Sequence, residues 1–170
     1  VGVSTLYHLT KKGWSDVVLL ERTELTSGST WHAAGLLPLF NMSYTVGQLH
    51  KYSVDLYKRL PAETGQDVSF HVTGNLRLAT CRDRMDEYRK YFGTANTIGV
   101  PFEIIGPDEV KTLWPLVELG DDRAVPKIVG ALYHPDDGHI APADLTMALR
   151  RAARNAGAEI HEQTEVTAVS

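Results

Sequence analysis

A run of small and hydroxylated residues, interrupted by one tryptophan and one histidine, occupies residues 26–35. Small residues allow a backbone to approach a flat ligand closely, and hydroxyl groups can bind phosphate oxygens or cap a following helix. The run therefore has the composition of a cofactor-binding loop. The alternative is an N-capped helix start with a hydrogen-bonded histidine, which is the commoner role of an isolated histidine. The residues alone leave both interpretations open.

Gly2 and Glu21 have the spacing of a dinucleotide-binding fingerprint. Apolar residues at helical spacing in residues 3–12 predict a short helix, and residues 16–21 hold four consecutive apolar residues closed by an acid, typical of a doubly buried parallel strand. Such a pair is half of a βαβ unit, so Gly2 would end a glycine-rich turn that binds phosphate, and Glu21 could accept both ribose hydroxyls. Because one glycine of the fingerprint is present, a purely structural role stays equally open.

The rest of the chain alternates between helical and strand patterns, which predicts an α/β fold class of mixed α+β character. One boundary is expected near residues 36–43, where the nucleotide-binding pattern gives way to a mixed one. Helices are predicted at residues 43–60 (ending near Pro61), 82–97, 108–113 and 142–156. Strands are predicted at residues 68–70, 75–79, 102–105, 128–133 and 158–161.

The composition is that of an ordinary globular protein. The chain of 170 residues is 43% hydrophobic and 22% charged, with a formal net charge of -4 and no stripe of basic residues. These values argue against disorder and against nucleic-acid binding. A lone cysteine, Cys81, cannot form an internal disulfide, which fits a reducing compartment. No apolar run approaches the length of a membrane span. Because the sequence opens at Val1 inside a structural unit, we expect any targeting segment to lie upstream.

A family resemblance begins in residues 21–36, which are similar to the second strand and flavin loop of the dimethylglycine and sarcosine dehydrogenases. The resemblance covers nearly the whole chain, which would be the N-terminal part of a protein of that family. The Gly-His-Ile of residues 138–140 and the Leu-Thr-Met-Ala-Leu of residues 145–149 are closer to the dimethylglycine enzymes. Further segments that resemble the family are residues 62–65, 74–79 and 137–140, Pro142 and residues 145–149.

The resemblance implies a set of cofactor contacts. Val1 and Gly2 would belong to the pyrophosphate turn, and Glu21 and Arg22 would meet the adenosine ribose. His32 would carry FAD through a covalent bond to a methyl carbon of the flavin ring. The backbone of Val166, in a strand expected at residues 165–167, would touch the adenine side. The residues that would wrap the flavin and its phosphates are Gly28, Ser29, Thr30, Trp31, His32, Ala33, Ala34, Gly35 and Leu36.

The resemblance also implies an incomplete two-domain fold of the glycine and D-amino acid oxidase type. Residues 1–40 and 138–170 would belong to a Rossmann-like FAD-binding domain, and residues 41–137 to an antiparallel-sheet substrate domain. The implied reaction is oxidation of an N-methylated glycine by hydride transfer from the N-methyl group to the flavin. Dimethylglycine is the favoured substrate. Electrons would leave to an electron-transfer flavoprotein or to oxygen, and tetrahydrofolate could bind in a later, C-terminal part. A bacterial cytoplasm or a mitochondrial matrix would be the compartment.

Alternatives remain at this stage. One is a family member with noncovalent FAD that acts on sarcosine, glycine or glycerol phosphate. Another is a non-catalytic nucleotide-binding module. His134 and His139 flank Asp136-Asp137-Gly138, but because further ligands are missing at supporting spacing, a turn is favoured over a metal site. The resemblance assigns no catalytic acid or base to this chain.

The chain taken by itself is expected to be inactive and poorly folded, because the first strand and most of the glycine turn of the implied domain lie outside it. Thermal unfolding of residues 1–170 expressed alone, followed by circular dichroism, tests this expectation. A broad, non-cooperative signal change is predicted, and a cooperative transition would contradict the prediction.

Overall fold

The computed structural model describes residues 1–169, in which helices and short strands alternate. In chain order the elements are α1 (Gly2–Lys11), β1 (Val18–Leu20), β2 (Leu36–Leu37), α2 (Tyr44–Thr64), β3 (His71–Val72), β4 (Asn75–Ala79), α3 (Arg82–Ile98), β5 (Glu103–Ile105), α4 (Pro107–Leu113), β6 (Gly130–His134), β7 (Gly138–His139), α5 (Pro142–Asn155) and β8 (Glu159–His161). The strand orders are β1-β8, β2-β7-β3 and β4-β6-β5. The five predicted helices are confirmed, with ends that differ by a few residues at most.

The predicted end of α2 near Pro61 is wrong, because the helix continues through this proline to Thr64. Proline removes an amide donor and crowds the preceding turn. Contacts made beyond it hold the last turn in place: the Glu63 carboxylate accepts a hydrogen bond from the Tyr7 hydroxyl at 2.8 Å and pairs with Lys11 Nζ at 2.9 Å. Tertiary packing therefore overrides the local signal.

The strand predictions need further corrections. Residues 68–70 are not a strand, and the pairing segment is β3, directly after them. Residues 165–167 form no strand either, and Val166 is 55% exposed. The two-residue strands β2 and β7 were not predicted, since two residues are too short for a periodic pattern to be recognised.

One compact unit comprises Val1–Leu36, Asp55–Phe70 and the described part of His139–Ser170. Its two strands, β1 and β8, pair in parallel, with Val18 opposite Glu159 and Leu20 opposite His161. The interior cluster of Leu6, Ala153 and Ala158 joins α1 and α5 to one face of this pair. The prediction that β1 is buried on both faces is wrong for the described chain, because Val18 and Leu20 are 54% and 44% exposed.

The other compact unit comprises Leu37–Val54 and His71–Gly138 and contains the antiparallel sheet β4-β6-β5. Adjacent residues of β6 point to opposite faces, as a strand requires. Leu132 packs on one face with Tyr88 and Tyr91 of α3, and Ala131 packs on the other with Ile105 and Val110. The assignment of the two units to an FAD domain and a substrate domain stays a prediction.

The side chains of Asp137 and His134 are buried in this second unit. Asp137 is 1% exposed, and its Oδ1 accepts a hydrogen bond from the Leu39 amide at 2.8 Å. His134 is 0% exposed, and its Nδ1 lies 3.0 Å from the carbonyl oxygen of Pro101, which makes Nδ1 the donor. Burial raises the pKa of Asp137 to about 6 and lowers the pKa of His134 to about 4. His134 is therefore neutral at pH 7.

The two shifts act on stability with opposite sign. A raised carboxyl pKa stabilises the fold at low pH, and this contribution is lost as the pH rises through about 6. A lowered imidazole pKa stabilises the fold above pH 6.5, and this contribution is lost as the pH falls through about 4. Arg77 and Asp136 are the charged groups that act on both side chains. The two effects offset each other in the native protein between these pH values.

Asp137→Asn is therefore expected to make stability rise more steeply with pH. Asparagine keeps the Oδ1 acceptor for Leu39 but cannot ionise, so only the contribution of His134 remains. The difference in free energy of unfolding between variant and native protein should change by on the order of 3 kcal/mol from pH 4 to pH 6.5, because His134 contributes equally to both and only the shift of Asp137 separates them. Urea unfolding at several pH values measures it, and parallel profiles for the two proteins would contradict it.

Candidate functional site

The carboxyl ends of β1 and β8 meet at one edge of their parallel pair, and this edge is where open α/β sheets bind ligands. The segments that follow β1 and β8 continue side by side beyond the strands. The Glu21 amide donates to the His161 carbonyl oxygen at 2.9 Å, and the Thr164 amide donates to the Glu21 carbonyl oxygen at 2.9 Å. The edge thus brings Glu21 next to the segment that leads from β8 to Val166.

The Glu21 side chain is a carboxylate prepared for further hydrogen bonds. Its Oε1 accepts the Thr23 amide at 2.9 Å and the Thr23 hydroxyl at 3.2 Å. The hydrogen bond from the Thr23 amide is the main reason that the pKa of Glu21 lies below its usual value, and the exposed Arg22 lowers this pKa further. Ionised at neutral pH, the carboxylate has acceptor capacity left for neighbouring hydroxyl groups.

The N-terminus of α1 is suited to an anion. Val1 provides no side-chain cap and the first turn holds no acidic residue, so its amide groups and the positive end of the helix dipole are uncompensated. A Cβ atom at Gly2 would lie 3.3 Å from Leu19 Cδ1, so glycine here permits close packing of the helix on β1. Close helix–strand packing is the role of the third glycine in a dinucleotide fingerprint.

Residues 25–36, called the cofactor loop below, form consecutive turns in their first part. Amides donate three residues back, from Trp31 to Gly28, His32 to Ser29 and Ala33 to Thr30, each at 3.2 Å. No helix starts here, so the alternative of an N-capped helix is wrong. Within residues 1–169, the His32 side chain is exposed and has no hydrogen-bond partner. Trp31 is 79% exposed.

Both ends of the cofactor loop are fixed. At its start Leu25 is 6% exposed, and its amide donates to Glu162 Oε1 at 2.8 Å. At its far end Gly35 has φ +75°, and its carbonyl oxygen accepts the Ile140 amide at 2.9 Å. A Cβ atom at Gly35 would collide with the Ile140 carbonyl oxygen, so glycine is required twice over. The loop is held at its termini while its middle stays open to a ligand.

All of the predicted contact residues lie in one compact unit. Glu21, Arg22 and the cofactor loop belong to the same compact unit as the N-terminus of α1, while Val166 lies outside any strand. Their roles in binding stay predictions. Sequence reasoning missed Glu162, although the signal was available: an acid follows β8 directly, as Glu21 follows β1.

The structure also bears on metals and membranes. Within the described residues, no three His, Cys, Asp or Glu side chains come together in a way that could hold a metal ion. The turn predicted at Asp136-Asp137-Gly138 lies one residue earlier, at Pro135 and Asp136, and Gly138 belongs to β7. None of the helices in residues 1–169 combines the length and apolar character needed to cross a bilayer.

Comparison with known proteins gives a family match over the whole chain: the model described as "DAO: FAD dependent oxidoreductase" matches residues 1–170. Dimethylglycine dehydrogenase of Rattus norvegicus, a mitochondrial protein, is 45% identical over 169 residues, which are 99% of this chain and 19% of that protein. Mitochondrial sarcosine dehydrogenase of Homo sapiens is 39% identical over 99% of this chain and 18% of its own length. The resemblance seen in the sequence is confirmed.

A third relative is not named as an oxidoreductase. The mitochondrial regulatory subunit of pyruvate dehydrogenase phosphatase from Mus musculus is 38% identical over 98% of this chain and 18% of its own length. This chain therefore spans less than a fifth of each of these three relatives.

Solved structures confirm the fold class. L-proline dehydrogenase from P. horikoshii superposes with a TM-score of 0.88 at 29% identity, over 100% of this chain and 43% of that one. Glycine oxidase from Bacillus cereus gives 0.77 at 27% identity, over 100% of this chain and 46% of that one. The predicted mixed α/β fold of the glycine oxidase type is thus present.

Gly35→Ala is expected to destabilise the protein by roughly 2–4 kcal/mol, since alanine is strained at this φ and its methyl group would displace the Ile140 carbonyl. Gly28→Ala is the matched control, because no atom lies within 4 Å of its Cβ position and its φ is not positive. The control should stay within about 0.5 kcal/mol of the native protein. Urea unfolding of both variants in the full-length protein measures this, and equal effects would refute the anchoring role of Gly35.

Proposed function

Because the chain belongs to the DAO family of FAD-dependent oxidoreductases, we propose that it forms part of an amine dehydrogenase that oxidises an N-methylated glycine and holds FAD covalently on His32. The observation that carries the proposal is the cofactor loop, which is anchored at Leu25 and Gly35 and presents an exposed, unpaired imidazole. Dimethylglycine is the preferred substrate in this proposal, supported by the higher identity to dimethylglycine dehydrogenase than to sarcosine dehydrogenase, 45% against 39%.

The residues of the site fit FAD chemically. The uncapped N-terminus of α1 at Val1 and Gly2 suits a pyrophosphate, and the ionised Glu21 with Arg22 beside it suits a ribose. A Cβ atom at Gly28 would meet no atom within 4 Å, so a ligand could approach the backbone closely at this point of the loop. Val166 would lie on the adenine side. When bound, FAD supplies the two-electron acceptor that side chains cannot provide.

His32 holds the cofactor in this proposal, and the rest of the loop orients it. A covalent bond from the imidazole prevents dissociation and fixes one edge of the ring system relative to the backbone. Because Thr26 and Gly35 both have positive φ, the loop conformation is set by the backbone at its two ends rather than by side chains in the middle. The chain therefore supplies binding and orientation, while the groups that contact the amine are assigned to other parts of the full-length protein.

Partners and location follow from the same proposal. An electron-transfer flavoprotein or oxygen would receive the electrons, and tetrahydrofolate would bind in a later part of the protein. The mitochondrial relatives favour the mitochondrial matrix, with the bacterial cytoplasm as the other compartment.

A second candidate function is a non-catalytic module that retains the fold for regulation. The 38% identity to a regulatory subunit of pyruvate dehydrogenase phosphatase favours it. The two candidates differ in whether a bound flavin can be reduced by an amine.

Anaerobic titration of the purified full-length protein with dimethylglycine and with sarcosine separates them. The flavin absorbance is expected to bleach with dimethylglycine, and more slowly with sarcosine at equal concentration. Faster bleaching with sarcosine would overturn the preferred substrate. A colourless protein, or a flavin that neither amine reduces, would refute the proposed oxidation and support the regulatory module.

A further inference from the structure

A single carboxylate joins the start of the cofactor loop to α5. Glu162 comes directly after β8, and its Oε1 accepts the Leu25 amide at 2.8 Å. Its Oε2 pairs with Arg150 Nη2 on α5 at 3.2 Å. The carboxylate therefore links a loop near the N-terminus of the chain with a helix near its C-terminus.

The surroundings make this link strong for a side-chain contact. Glu162 and Arg150 are 28% and 29% exposed, so their charges are only partly screened by water. A hydrogen bond from an amide to an ionised carboxylate is stronger than one between neutral groups. Arg150 Nε is buried without a partner, so Glu162 provides the guanidinium with its ionic contact. Loss of the carboxylate would leave the Leu25 amide without its acceptor and Arg150 without its ionic partner, while Arg150 Nη1 would keep its contact with Met147 Sδ at 3.9 Å.

The anchored amide lies where the chain turns into the loop. Thr26, the next residue, has φ +78°, a strained conformation for a β-branched side chain that persists only where its surroundings enforce it. Backbone bonding adds to the anchor, since the Gln163 amide donates to the Thr23 carbonyl oxygen at 2.8 Å. The contacts of residues 162–164 thus set the direction in which the loop departs.

We propose that Glu162 is a positioning residue for FAD: by fixing the Leu25 amide while Arg150 holds its carboxylate, it sets the loop conformation that presents His32 to the cofactor. The inference rests on the proposed function of the loop. Glu162 itself touches no reacting atom in it.

The test compares three variants of the full-length protein. Glu162→Ala removes both contacts, Glu162→Gln keeps the acceptor for Leu25, and Glu159→Ala removes an equal charge whose exposed carboxylate lies 3.0 Å from His161. Three quantities are measured: hydrogen exchange of the Leu25 amide, the fraction of flavin retained after acid precipitation, and the visible circular dichroism of the flavin.

For Glu162→Ala we expect exchange at Leu25 to be at least tenfold faster, retained flavin to fall at least fivefold and the flavin dichroism to change. Glu162→Gln should restore at least half of the retained flavin, and Glu159→Ala should match the native protein. Native flavin retention and dichroism in Glu162→Ala would overturn the inference, as would a failure of Glu162→Gln to restore them.

Two further outcomes are a Glu162→Ala protein that does not fold and a native flavin that acid releases. If Glu162→Ala does not fold, Arg150→Met decides, because it releases the carboxylate from α5 but keeps the acceptor; native exchange at Leu25 and native flavin retention in that variant would overturn the inference. If acid releases the flavin from the native protein, the proposed covalent bond to His32 is refuted, but the positioning role of Glu162 can still be tested. In that case the affinity for FAD tests the role of Glu162. Glu162→Ala should weaken this affinity at least fivefold, and an unchanged affinity would refute the inference.

Discussion

The parallel pairing of β1 with β8 is the contact on which the rest of the site depends. It joins segments from opposite ends of the chain in a fixed register, with Leu20 opposite His161. The residues that follow, Glu21 and Glu162, consequently emerge at the same edge. The hydrogen bond from the Thr23 amide lowers the pKa of Glu21, while the Glu162 carboxylate accepts a hydrogen bond from the Leu25 amide. A one-residue change of register would turn the Glu162 side chain to the opposite face and remove its hydrogen bond with the Leu25 amide.

The cofactor loop illustrates how a site can be ordered without being buried. Its middle, residues 28–34, is mostly exposed, and the proposed function requires it to stay open to a ligand. Order comes from the ends, where Leu25 is buried and hydrogen-bonded and Gly35 is wedged against the Ile140 carbonyl. Binding loops held on a rigid scaffold are the usual location of functional residues for this reason.

Much of the fold could be predicted from local patterns. The helical periodicities that gave α3 and α5, and the alternation that gave β4, arise from residues close in sequence. The prediction failed where distant contacts decide. The final turn of α2 persists because Glu63 contacts α1, and β1 is open on one face because nothing in the described chain covers Val18 and Leu20.

The cofactor role of the loop stays a prediction from the sequence, and the contacts that fix the loop could not be predicted. The small residues around His32 indicated a cofactor loop, and a resemblance rather than spacing suggested covalent flavin. The Glu162 contact with Leu25 and the need for glycine at position 35 depend on residues that come together only in the fold. Neither could be read from a linear pattern, because each joins segments more than a hundred residues apart.

Peptide mass spectrometry of the denatured full-length protein tests the central claim most directly. After unfolding in acid and proteolysis, the peptide that contains His32 is expected to carry the added mass of FAD, with fragmentation placing the adduct on the imidazole. An unmodified His32 peptide, together with flavin recovered entirely in the supernatant or on another residue, would contradict the account.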